Sequence, residues 1–214
     1  MTKKPNSTSQ IPDWLKWARE IQALAQTGLT FAQSEYEVLR NKRLLELAAE
    51  ITSQYGNLSP DDLLNNFSAQ PGYATPKIDV RGAVIREGEL LLVQECTDKR
   101  WAMPGGWADV GESPAEMVVR EVREESGFIV RPLKVVGIYD ANRSGRPMQF
   151  YHAYKIIFLC ELIGGRARPS NETLDVGFFP FDQLPPLSQN RTNEMHLGEL
   201  RAHLTDPDRK TAFD

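Results

Sequence analysis

The sequence predicts an α/β protein, a sandwich of helices on both faces of a mixed β-sheet, preceded by a small all-helical N-terminal domain. Three observations carry that expectation. Apolar residues recur near a 3.6-residue period, with helix caps, as far as about residue 68. From Ile78 the period changes to that of strands. Between the strands stands one segment, Ser113 to Gly127, with every mark of a capped helix, and another helical stretch closes the chain.

Residues 1–10 read as disordered. A first helix is expected from Pro12 to about Thr27 on Trp14, Leu15, Ala18, Ile21, Ala23, Leu24 and Ala25, with Gly28 as its stop. A second runs from Ser34 to Tyr55, where Ser34 and Glu37 have capping-box spacing. A third starts at Ser59-Pro60-Asp61-Asp62 and runs to about Phe67. Residues 11–68 therefore form a helical domain, and 69–76, with two prolines and a glycine, a linker. Helices in so short a stretch make a poor isolated core. Their stripes need either the following domain or the same element of a second chain, and a homodimer through these helices is the favoured arrangement.

Residues 77–214 form the second domain. Ile78 to Ile85, a turn at Glu87-Gly88 and Leu90 to Glu95 read as a hairpin. Strands follow at Ile129 to Tyr139, Met148 to Leu162 (ended by Gly164-Gly165) and Val176 to Phe181, then a helix from about Asn193 to Leu204. The central helix is delimited by chemistry. Ser113 is the N-cap, Pro114 sits where its missing N–H costs nothing, Glu116 completes a capping box, and Gly127 suits a left-handed C-cap. At about 100° per residue, Glu121, Glu124 and Glu125 share one face while Ala115, Val118, Val119 and Val122 share a neighbouring one. Surface helices rich in Glu and Arg are also simply solvated. Here a glycine turn, Pro104-Gly105-Gly106, precedes the helix, and hard oxygen ligands on one face suit a divalent cation such as magnesium.

The stretch from Gly106 to Phe128, GWADVGESPAEMVVREVREESGF, resembles the Nudix box G-x5-E-x7-R-E-U-x-E-E-x-G-U, where U is bulky and apolar. Gly106, Glu112, Arg120, Glu121, Val122, Glu124, Glu125, Gly127 and Phe128 fill every specified position. The N-terminal helices more loosely resemble the extension of Nudix proteins related to ADP-ribose and CDP-choline pyrophosphatases, through Pro12-Asp13-Trp14-Leu15 and the second helix. The resemblance implies a Nudix-type α/β/α sandwich and hydrolysis of a nucleoside diphosphate linked to a second moiety. It further implies Mg2+ (Mn2+ as a substitute) as cofactor and water as nucleophile. It makes Glu121 and Glu125 metal ligands, with the Gly105 carbonyl a backbone ligand and Glu124 a third ligand or the general base. Arg120 and Glu112 would steady the loop. Glu172, ahead of Asp175, is the acid outside the box that could activate water, although loop acids are commonly just solvated. Other readings are a triphosphate sanitiser and a regulatory module that binds without cleaving.

Substrate contacts are less legible. Asp79 and Arg81 alternate with apolar residues, as on any half-exposed strand, and Arg81 could fork onto a phosphate. Arg143, Arg146 and Gln149 are similar candidates. Tyr139, Phe150 and Tyr151 could stack on a base or fill the core, and Trp101 and Trp107 could wall the site or pack. A net charge of −4 removes the electrostatic case for non-specific nucleic-acid binding. No run approaches the roughly 20 apolar residues of a membrane span. The polar start MTKKPNSTSQ suggests no secretory signal, and Cys96 and Cys160, both in strand-like runs, read as buried thiols of a cytoplasmic protein.

Overall fold

A computed structural model describes residues 12–56, 58–69, 71–143 and 152–214, in two compact units: among these residues the first takes those up to Pro76 together with His152, and the second the rest from Lys77 onward. In the first unit, α1 (Asp13–Thr30), α2 (Glu35–Tyr55) and α3 (Pro60–Ser68) pack around Ala25, Leu45, Ala48, Ala49, Leu63 and Phe67. Ser34 caps α2 with the full reciprocal box, and Ser59 caps α3. Gly28 does not stop α1, which continues to Thr30. A Cβ there would stand 2.4 Å from the Asn41 side-chain oxygen. The glycine is a contact point between helices rather than a terminator.

The second unit is a seven-stranded mixed sheet among its described residues, in the order β3-β2-β1-β5-β4-β7, with β6 pairing β2. The strands are β1 (Lys77–Arg86), β2 (Glu89–Glu95), β3 (Trp101–Ala102), β4 (Phe128–Asp140), β5 (Ala153–Gly165), β6 (Thr173–Pro180) and β7 (Ala212–Phe213). The turn between β1 and β2 puts Glu87 and Gly88 at φ 54° and 84°, the left-handed pair that matches hairpin twist. Alternation along the strands divides the interior. Val80, Val84, Leu91, Phe158 and Cys160 face α4 (Pro114–Ser126), while Ala83, Leu90, Leu92 and Ile157 face α5 (Glu194–Thr205).

Several expected features differ. The strand expected from Met148 is described only from Ala153, and it runs through Gly164 and Gly165 before ending. The short pairings of β3 and β7 carry too few residues for a period to show. Cys96 is exposed rather than buried, because β2 ends in a register shift at Gln94/Glu95 and the next residues form a turn, while Cys160 is buried as expected.

The decisive feature for the site is where β1 and β2 part. They pair only at Ile85 with Leu90 and Arg86 with Glu89. The remaining edge of β1 is taken by the loop 104–108: the N–H of Gly82 donates to Pro104 O (2.8 Å), that of Val80 to Gly106 O (2.9 Å), and that of Ala108 to Ile78 O (2.8 Å). The glycine turn thus runs beside β1 like another strand.

Candidate active site

Helix α4 is held at both ends as its residues dictate. The Ser113 hydroxyl accepts from the Glu116 N–H (3.3 Å), the Glu116 carboxylate accepts from the Ser113 N–H (2.9 Å), and Gly127 takes φ 77°. Met117, Val118 and Val122 are buried against the sheet, each worth roughly 1.5–3 kcal/mol of apolar burial. A Cβ on Gly82 would stand 2.5 Å from Val122 Cγ2, so α4 crosses β1 at a residue with no side chain. That approach brings the next face of the helix onto the glycine turn.

Two glutamates meet the turn. Glu125 is 6% exposed, and its Oε2 accepts from the Gly105 N–H at 2.8 Å. Glu121 lies against Gly106, where a Cβ would come within 2.9 Å of its carboxylate. Gly105 has φ +146°, and a Cβ there would fall 2.0 Å from Val80 O. Of the three successive turn carbonyls, those of Pro104 and Gly106 accept from β1; the Gly105 carbonyl accepts no backbone hydrogen bond from the described residues.

Arg120 organises the rest. Its Nε donates to both Glu112 oxygens (2.9 and 3.0 Å), Nη1 to Glu121 (3.0 Å) and Glu124 (2.9 Å), and Nη2 to Asp109 (3.0 Å). Hydrogen bonding to Glu112 leads the effects that hold its pKa above the ordinary arginine value. The guanidinium fastens the loop 109–112 to the helix and relieves the repulsion among its carboxylates.

Burial pushes the Glu125 carboxyl up to about 7, against the pull of Arg81 and the Gly105 N–H. Burial likewise raises Glu121, opposed by Arg120. Among the described residues no three His, Cys, Asp or Glu side chains form a ready metal cage. The carboxylates are instead occupied by Arg120 and by the Gly105 N–H. The donor set nevertheless fits a hard divalent cation: two desolvated carboxylates, both pushed toward protonation, lie against adjacent residues of a glycine turn.

Glu172 is exposed on the loop before β6, and that loop is tied to the site. Its carbonyl accepts from the Cys96 N–H (3.0 Å), and the neighbouring Thr173 hydroxyl donates to the Glu125 carbonyl (2.9 Å). Asp175 is exposed and accepts from the Val176 N–H, one residue along. Asp79 and Arg81 are buried rather than on a half-exposed strand face. They are 7% and 5% exposed, Arg81 Nε donates to Asp79 (2.9 Å), Nη1 donates to Met103 O (3.2 Å), and buried Lys155 pairs with the other Asp79 oxygen. Burial opposes both charges; Arg81 and Lys155 hold Asp79 low, while Asp79, Glu125 and Glu95 hold Arg81 high. Arg143 remains exposed at the end of β4, paired with Asp140 (3.3 Å). Arg146, Gln149, Phe150 and Tyr151 lie outside the described residues. Tyr139 is core, tilted on His196, and Trp101 packs edge-on to Phe179. Trp107 is 48% exposed and bridges Asp79 beside the turn.

Sequence reasoning missed Glu95. It is 6% exposed, lies 3.0 Å from Arg191 Nε and 3.9 Å from Arg81 Nη1, and burial raises its pKa despite both cations. Its only signal was an acid ending the apolar run LLLVQE. Arg191 and Lys155 complete that cluster from parts of the chain remote in sequence.

A capped acidic helix laid across a glycine turn, on a mixed sheet between two helical layers, defines a hydrolase of the Nudix class. The chain belongs to the NUDIX family: the family's domain model matches residues 76–197, and the model described as a UDP-X-like, N-terminal oligomerisation domain matches residues 12–67. It is a Nudix pyrophosphohydrolase. YjhB of Bacillus subtilis (strain 168), provisionally named an ADP-ribose pyrophosphatase, is 41% identical over 201 residues, covering 94% of this chain and 97% of that protein. The crystal structure of an ADP-ribose pyrophosphatase from Streptococcus suis 89-1591 is 39% identical, with a TM-score of 0.59, over 65% of this chain and 100% of that one. That of a UDP-X diphosphatase is 30% identical, with a TM-score of 0.61, over 94% of this chain and 98% of that one. Among the described residues no helix is long and apolar enough to cross a membrane.

Proposed function

We propose that the protein hydrolyses the pyrophosphate bond of a nucleoside diphosphate linked to a second moiety, with magnesium as cofactor and ADP-ribose as the first substrate to test. The observation that carries this reading is the meeting of Glu121 and Glu125 at Gly105-Gly106, where both carboxylates are desolvated. The names of the Bacillus and Streptococcus relatives support the choice of ADP-ribose.

In this reading Glu121, Glu125 and the Gly105 carbonyl would hold the metal, with Glu124, once released from Arg120, a third ligand or the general base. A divalent cation held there would supply charge neutralisation for the diphosphate and a more acidic water. Glu172, exposed on the loop that Thr173 ties to Glu125, is the acceptor for that water's proton, or Glu124 where it is not a ligand. The water oxygen bonds to one phosphorus as the bridging P–O bond breaks, leaving two phosphate monoesters. No side-chain nucleophile is needed. Arg120 is a positioning residue. Both Arg120→Ala and Arg120→Lys should lower kcat by about 10–100-fold with the circular dichroism spectrum unchanged, because Nε, Nη1 and Nη2 are all used and an ammonium replaces only one. Near-normal turnover of the lysine variant would refute that role.

The decisive assay supplies ADP-ribose, CDP-choline, UDP-sugars and nucleoside triphosphates in parallel and follows monophosphate release. Release of AMP and ribose phosphate from ADP-ribose is expected, absent in EDTA and restored by Mg2+ or Mn2+. Turnover of triphosphates with none of the diphosphate conjugates would overturn the reading.

The N-terminal unit is the element through which the chain forms a homodimer, as the oligomerisation model over residues 12–67 supports. Two free cysteines, one of them exposed, suit a reducing cytoplasm.

A further inference from the structure

Helix α1 carries two apolar stripes, and its own unit uses one. Leu15, Ala18 and Ala25 are buried within the chain. Trp17 and Leu24 stand seven residues apart on another face, and Phe31, the C-cap residue just past the helix, continues the interval; they are 61%, 66% and 58% exposed. Three large side chains at that interval make a straight seam along a helix, the spacing at which two helices pack side by side. Scattered exposed hydrophobics need no explanation, but a periodic row does.

We infer that this seam pairs with the same seam of a second copy, the two α1 helices running antiparallel with Leu24 at the twofold axis. The inference rests on reading the N-terminal unit as the association element. Self-association is argued by the oligomerisation model spanning α1 to α3, and an isologous contact requires one patch to face itself. The antiparallel direction follows from charge and shape. Asp13, Lys16, Arg19 and Glu20 all lie in the first half of α1, and residues 21–31 carry no charge. Antiparallel pairing sets each charged half along an uncharged one and opposes the helix dipoles; parallel pairing would stack like charges. It also places Trp17 opposite Phe31, which already lies tilted on the 70% exposed Tyr73 with ring centroids 5.6 Å apart. Each Trp17 then completes an aromatic cluster.

The test uses the full chain. Leu24→Glu should weaken self-association in sedimentation experiments by at least about 30-fold, the effect of a hot-spot residue. Its circular dichroism spectrum should be unchanged, since the leucine is exposed in its own chain, while its Tm should lose the dependence on protein concentration that association gives the wild type. In a Cys96→Ser background, Leu24→Cys should oxidise to a covalent dimer. Trp17→Cys should crosslink only when mixed with Phe31→Cys. A Leu24→Glu protein that remains as dimeric as wild type, its leucine being covered by the same chain or not at all, overturns the seam. Self-crosslinking of Trp17→Cys overturns its direction. Wild-type protein that sediments as a monomer removes the association reading on which the seam depends.

Discussion

Replacing Glu125 with glutamine is expected to lower kcat by at least about 1,000-fold and, at the same time, to stabilise the metal-free protein at pH 8. The first effect follows from the proposed role of Glu125 as a charged metal ligand at the turn. The second follows from the buried carboxyl. Its pKa is raised from 4.5 to about 7 in the fold. A group with a raised folded-state pKa contributes fully below the unfolded value and loses that contribution as pH climbs through the folded one. Above pH 7 the metal-free wild type therefore carries a desolvated charge costing on the order of 3 kcal/mol. Glutamine has no charge to desolvate and can still accept from the Gly105 N–H. The stability gap between variant and wild type, measured by urea unfolding in EDTA, should be widest at pH 8 and close toward pH 4.5. Magnesium should narrow it at pH 8 by stabilising the wild type alone. A variant no more stable than wild type at pH 8, or one that turns over normally at saturating magnesium, would contradict the assignment.

Gly105→Ala should lower stability by more than about 3 kcal/mol and Tm by about 10 °C. Two costs combine: φ +146° is a region that L side chains rarely adopt, and the new Cβ would meet Val80 O at 2.0 Å and the Arg81 Cα at 2.9 Å. Something must move, and what moves is the segment that aligns Gly105 with Glu125. Gly111→Ala is the control. It sits at φ +101° with nothing within 4 Å of the added atom, so it should lose only backbone strain, about 1 kcal/mol. Calorimetry on the two proteins separates the contributions. Equal losses would mean that the contact with β1 is without consequence.

What could be read in the sequence was what local chemistry decides. Ser113, Pro114, Glu116 and Gly127 place the ends of α4 because capping involves neighbours in the chain, and the carboxylate face follows from the helical repeat. Asp79 and Arg81 show the limit. Polar residues alternating with apolar ones mean exposure only if the strand has a solvent face, and here Lys155 and Glu95 come from other strands to neutralise them inside. Glu95 looked like a strand end, since Arg191 is far away in sequence. Gly28 resembled a helix stop because its reason for being glycine, Asn41, lies on the next helix. The pairing of the loop 104–108 along β1 was likewise invisible, as hydrogen-bond partners between remote backbone groups leave no mark on side-chain pattern.

The internal arrangement of Asp79, Arg81 and Lys155 has a consequence for how such a chain can diverge. Each ion is neutralised by another that is itself out of reach of water, so losing one partner strands the remainder at a cost of about 3–5 kcal/mol. Drift at these positions cannot proceed one residue at a time. Across descendants of this sequence the trio should be inherited as a block or exchanged as a block for apolar residues, and relatives that mix charged and neutral members would show that the strands can accommodate a lone charge.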